Sequence, residues 1–120
     1  MSAHVSPSGV LHLTKECSAY TGQPGSFCTI DSSDFSGIPV GSKVVYASAM
    51  TAAGLDTEIV VTTPDGDQIN GHVQLDSLTG SGTVRLGGGT GQLIGLSADL
   101  VVVALEAPRY RWEGSYSQST

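Results

Sequence analysis

Short β-branched segments recur along this chain, each closed by glycine, proline or aspartate, and no stretch of useful length carries a helical period. Val44, Tyr46, Ser48 and Met50 alternate with Val45, Ala47 and Ala49, which is the two-residue period of a strand. Thr57 to Thr63 is β-branched almost throughout, which favours strand over helix. Pro64-Asp65-Gly66-Asp67 then supplies a hairpin turn, with proline presetting its own φ and Gly66 free to take a positive one.

Read this way, the strands are Val10–Cys17, Ser26–Asp31, Lys43–Met50, Thr57–Thr63, Ile69–Leu75, Thr83–Leu86, an apolar run ending at Leu105, and Arg109–Ser117. Eight short strands joined by tight turns at roughly 8–14-residue intervals imply an antiparallel meander. Closure into a barrel removes the unpaired edges of an open sheet. The expected fold is therefore all-β: one antiparallel eight-stranded up-and-down, calycin-like barrel over residues 10–117, with an arm at 1–9 and a tail at 118–120. The 120 residues fit one domain, large enough to bury a core without a metal or disulfide.

Charge narrows the partners. The net charge is −6, and Lys15, Lys43, Arg85, Arg109 and Arg111 are the only lysines and arginines. No basic stripe exists to neutralise phosphates or anionic lipid, so neither nucleic acid nor a membrane is an expected partner. The longest apolar run, Leu100 to Leu105, has the length of a strand and not of a spanning helix. Met1 to Pro7 lacks a basic n-region and an apolar h-region. The expectation is a cytoplasmic protein, or a secreted one whose signal has been removed.

Cys17 and Cys28 flank the first hairpin symmetrically, in a register where residue i faces residue 45 − i. Directly opposed residues have Cα atoms about 4.5–5.5 Å apart, within disulfide reach. A disulfide there would contribute about 2–3 kcal/mol; two reduced, small apolar side chains are the alternative. His4, His12 and His72 are far apart and no Cys-x-x-Cys occurs, so no metal is expected. The run Gly87 to Gly91 matches neither the dinucleotide nor the P-loop pattern and reads as a tight turn.

At Gly88-Gly89-Thr90-Gly91-Gln92-Leu93-Ile94-Gly95 the chain resembles the allene oxide cyclase-like and dirigent-like barrels. Gly41-Ser42-Lys43-Val44-Val45-Tyr46 is similar to their Gly-Asp-x-x-Pro-Phe strand opening, with Val45 in place of the proline. Trp112-Glu113-Gly114-Ser115-Tyr116-Ser117 is similar to the closing strand of small bacterial relatives. A further family glycine past Gly95 is replaced by Ser97 and Ala98. The resemblance implies an eight-stranded barrel with an apolar lumen, a homo-oligomer (dimer or trimer), and action on a small hydrophobic molecule without a cofactor. Such proteins steer cyclisation, coupling or rearrangement by holding the substrate in one shape.

The candidate catalytic groups are Glu16, Tyr46 and Asp99. Glu16 lies where the plant cyclases place a glutamate inside the barrel. By alternation it shares a face with Val10, His12 and Thr14, leaving Leu11, Leu13 and Lys15 on the other. If the first face points inward, His12 and Glu16 enter the cavity, where an apolar surrounding would raise the carboxylate pKa. If the leucines point inward, which the pattern favours, Glu16 is solvated. Asp99 shares a face with Val101, Val103 and Leu105; there it is either a catalytic acid or the partner of Arg85, Arg109 or Arg111. Candidate ligand contacts are His12, Val44, Met50, His72, Tyr110, Trp112 and Tyr116, which also serve as plain core filling. Gly71 and Gly114 either leave lumen space or mark bends. Three functions follow: an isomerase or cyclase-like barrel, a carrier of the same shape, or a structural barrel with a filled core.

Overall fold

The computed structural model describes residues 8–76, 78–79 and 81–119. The reading of residues 1–7 as an arm, including His4, lies outside these, as do Ser77 and Gly80 of one expected turn and Thr120 of the tail.

Alternating apolar residues meet turn chemistry eight times. The strands are β1 (Ser8–Glu16), β2 (Phe27–Ser33), β3 (Lys43–Tyr46), β4 (Gly54–Thr62), β5 (Gln68–Asp76), β6 (Gly82–Gly87), β7 (Leu96–Ala104) and β8 (Arg109–Gln118). Each pairs antiparallel with the next, and β8 returns to β1, closing an up-and-down barrel. Among the described residues the only helical turn is a single 3-10 turn at Gly91–Leu93.

Several boundaries differ from the sequence reading: β4 begins at Gly54, not Thr57, and β2 runs to Ser33, not Asp31. β1 begins at Ser8, so the expected arm is already strand at its last two residues. β3 stops at Tyr46, not Met50. Beyond it, the Ser48 amide donates to the Thr57 hydroxyl, a side chain taking the place of a ladder carbonyl. That substitution ends the regular pairing.

The β1–β2 ladder holds a bulge. Lys15 pairs with Ile30 and Glu16 with Thr29, but Thr14 pairs with Ser32, so Asp31 is the extra residue. Two consecutive residues, Asp31 and Ser32, therefore face solvent on β2 while Ile30 points inward. The 45 − i register holds on the Cys17–Cys28 side of the bulge.

Inward positions carry the core. Leu11 and Leu13 of β1 meet Ile59 and Val61 of β4, Leu100 of β7 and Trp112 of β8 in one cluster. Gly71 and Gly114 do not open the lumen. A Cβ on Gly71 would press on Leu86, and one on Gly114 would run into the β7 backbone at Asp99. They allow close strand approach instead.

The two barrel ends differ. At one end the Gly91–Leu93 turn tucks Leu93 into the core, and the loop after β2 does the same with Ile38. Phe35 stacks on Tyr116 there, ring centres 4.9 Å apart. Gly91 has φ +56°, and a side chain there would strike Asp67; the glycine run thus forms a plug. At the other end no loop side chain among the described residues is buried as deeply as Ile38 and Leu93, and a cavity remains.

Candidate functional site

The cavity occupies about 220 Å³ at the end where β1 finishes and β8 begins. Its walls come from Cys17, Tyr20, Tyr46, Leu55, Leu75 and Tyr110, and its floor from Lys15. Met50, Ala107 and Pro108 stand exposed at its rim, so it opens to solvent. The volume matches about seven liquid waters and lies below the roughly 300–1,000 Å³ of drug-sized sites. A single ring or short chain is the size of molecule it admits.

Lys15 defines the chemistry. It follows Leu11 and Leu13 on the inward face of β1 and is only 6% exposed. Its amine donates to the Tyr46 hydroxyl and lies 4.7 Å from the centre of the Trp112 ring, 5.0 Å from Tyr46 and 5.3 Å from Tyr110. Among the described residues no carboxylate pairs with it. Burial therefore lowers its pKa from the ordinary lysine value to about 7. The same burial pushes the Tyr46 phenol far up, so it stays protonated. Tyr20 stacks on Tyr46 with ring centres 4.9 Å apart. Its hydroxyl and the Trp112 indole N–H are buried and meet no hydrogen-bond partner among the described residues. Cys17 and Cys28 are joined by a disulfide, Cα atoms 4.3 Å apart, which ties β1 to β2 at the cavity wall.

Of the residues singled out from the sequence, the structure brings Tyr46, Met50 and Tyr110 together with both cysteines around this cavity, and sets Trp112 against the Lys15 amine without lining it. Val44 is buried in the core below, and Tyr116 lies at the plugged end. The others lie outside the barrel. Glu16 faces away from the lumen and accepts the Ser18 amide at 2.5 Å; hydrogen bonding to the Ser18 side chain, and then to its backbone, lowers its pKa instead of raising it. His12, also outward, sits 2.8 Å from Asp34. The physical reason is alternation: with the two leucines and Lys15 inward, His12 and Glu16 must point out.

Asp99 is likewise outward, 3.0 Å from Arg85 across the β6–β7 ladder. Of the two readings given for Asp99, the ion pair with Arg85 is the one seen; both faces of β7 are apolar, and Ala98, Leu100 and Val102 are the ones buried. His72 lies on the outer face between two acids, 2.5 Å from Asp56 and 3.0 Å from Glu58. His72, Arg85 and Asp99 do share a furrow of about 550 Å³ on that outer face. Its charges already neutralise one another, and it offers no enclosed apolar wall. Among the described residues no three His, Cys, Asp or Glu side chains converge as metal ligands.

Lys15 is the cavity-lining group that sequence reasoning did not single out. The available signal was its place on the leucine face of β1. Comparison with known families, curated proteins and solved structures found no match.

Proposed function

We propose that the barrel binds one small, mostly apolar molecule at its open end and steers a cofactor-free cyclisation or rearrangement of it. The observation that carries this reading is Lys15, an amine at the floor of an aromatic-walled cavity with two tyrosines and, among the described residues, no carboxylate beside it. With its pKa near 7 the amine is substantially free base at neutral pH and can accept a proton. The Tyr46 phenol, in hydrogen-bond contact with it, stays protonated and can offer its hydroxyl as a hydrogen-bond donor to a ligand oxygen. Strand-borne walls hold the substrate in one orientation, the proximity effect that such a site trades on.

The eight-stranded up-and-down architecture supports kinship with the allene oxide cyclase-like and dirigent-like barrels. The outward Glu16 separates this chain from the plant cyclases, and the base role passes to Lys15, with Tyr46 as hydrogen-bond donor.

A carrier function is favoured by a different observation: most of the lumen is filled, and what remains is an apolar niche that holds a ligand without chemistry. A panel of small cyclic and short-chain hydrophobic compounds, screened by calorimetry and then by product analysis, separates the readings. Binding is expected in the low-size range and is expected to weaken in Leu75→Phe, which narrows the cavity. Turnover lost in Lys15→Met with binding retained supports catalysis; binding with no turnover by the unaltered protein supports the carrier. Failure of every compound to bind leaves a structural barrel.

A further inference from the structure

The cavity's polar groups point to one ligand chemistry. Its floor is an amine and its walls carry phenols, and among the described residues that line it there is no acid to neutralise a cation and no second base to hold an anion. Tyr20 presents a buried hydroxyl with no partner among the described residues, a donor waiting for an acceptor oxygen. An electrophilic carbon bearing such an oxygen would meet the Lys15 amine at the floor. We propose that the occupant is a small aldehyde and that Lys15 Nζ condenses with it to form an imine. This inference rests on the reading of the cavity as a binding site and assigns its substrate class.

The step balances without any added reagent. The lone pair on Nζ adds to the carbonyl carbon while the C=O π pair moves to oxygen. A proton passes from nitrogen to that oxygen, giving a carbinolamine. The C–O bond then breaks as its oxygen takes a proton from a neighbouring tyrosine hydroxyl and leaves as water; the nitrogen lone pair forms the C=N bond, and nitrogen's remaining proton returns to that hydroxyl. One amine and one aldehyde give one imine and one water. Tyr46 and Tyr20 are placed to donate to the oxygen as charge builds on it. Reprotonated, the imine nitrogen withdraws electrons from the adjacent carbon and opens it to rearrangement. Burial supports the assignment: an ordinary exposed lysine is free base in only about one molecule per 10³ at pH 7, whereas Lys15 is held near 7.

Benzaldehyde fits the size limit and serves as the probe. The full chain is incubated with it and sodium cyanoborohydride at pH 7, and the trapped benzylamine is located by peptide mass mapping. Lys43, exposed on β3, and the α-amino group are internal controls in the same digest. Expected is one benzyl group on Lys15, formed at least about tenfold faster than on Lys43. Labelling of Lys15 no faster than Lys43 overturns the inference. So does tight binding of benzoate that slows labelling only by pairing with a protonated Lys15.

Benzyl alcohol, which cannot form an imine, is titrated in parallel by calorimetry. Its binding without Lys15 labelling by benzaldehyde sinks the imine and leaves the binding site. No binding by either compound, with no labelling, sinks both. The unaltered protein carries the decisive comparison, so an unstable Lys15→Met variant would not obscure it.

Discussion

The Lys15 amine of β1 lies 4.7 Å from the centre of the Trp112 ring of β8, across the seam that closes the barrel. Leu13 pairs with Trp112 and Lys15 with Tyr110 along that ladder, so two aromatic rings of β8 sit beside one amine. Each such ring favours the cation by about 2 kcal/mol when water is excluded. Removing the charge from water costs several kcal/mol, and no carboxylate repays it. Burial wins, which is why the amine titrates near 7.

Trp112 is the only tryptophan in the chain. Its fluorescence is therefore expected to report the charge above it. Emission should change between about pH 6 and 8.5 with a midpoint near 7 and lose that transition in Lys15→Met. A flat profile in the unaltered protein would place the amine elsewhere.

Stability should depend on pH in a specific direction. The folded pKa of Lys15 is about 7, while an unfolded lysine titrates near 10.4. Between those values the unfolded chain binds more protons, so stability rises as pH rises and the penalty is full below about 7. From pH 7 to 9 the gain should be about 2 kcal/mol. Lys15→Met should remove that slope and stabilise the barrel by about 2–4 kcal/mol at pH 7. Urea midpoints at the two pH values provide the comparison; a midpoint that falls on raising the pH would contradict the sign.

The Cys17–Cys28 bridge closes a short loop, with a sequence separation of 11. Its removal in the double Cys17→Ser, Cys28→Ser variant should cost about 2–3 kcal/mol. Because both residues line the cavity, ligand affinity should fall as well. Denaturant unfolding and calorimetry measure the two effects, and unchanged values in both would leave the bridge without a structural role.

His72 is held above its ordinary pKa, first by its hydrogen bond to Glu58 and then by that to Asp56. Its NMR titration should accordingly have a midpoint above about 6.5. Glu58→Gln should bring that midpoint down without altering ligand binding, since the pair lies outside the barrel. The stability this pair adds is present at low pH and is lost as pH rises through the folded midpoint.

Glu16→Gln and Asp99→Asn should leave ligand binding and turnover unchanged. Both carboxylates are outward, one against the Ser18 amide and one against Arg85. Loss of activity in either would relocate the chemistry to the outer face.

Strand identity was open to reading because it depends on neighbours: alternation from Lys43 to Tyr46, β-branching from Thr57 to Thr62, and a turn at Pro64-Asp65-Gly66 where Gly66 takes φ +92°. Eight such segments with tight connections leave few ways to satisfy every edge, and a closed meander is one. The cysteine register was legible too, since the bulge at Asp31 falls beyond it.

Which side of each strand faces inward is a different kind of question. On β7 both faces are apolar, so local pattern could not rank Asp99's face against that of Leu100. On β1 alternation placed Lys15 with the leucines, but the local pattern does not say what would surround its amine. Its fate was set by residues far along the chain: Tyr46 on β3 and Tyr110 and Trp112 on β8, which gather around it once β1 meets β8. The plug that Ile38 and Leu93 form at the opposite end is equally non-local. Period and turn chemistry act over a few residues and specify the strands. A cavity is the space left after distant side chains have packed, and it exists only in the closed barrel.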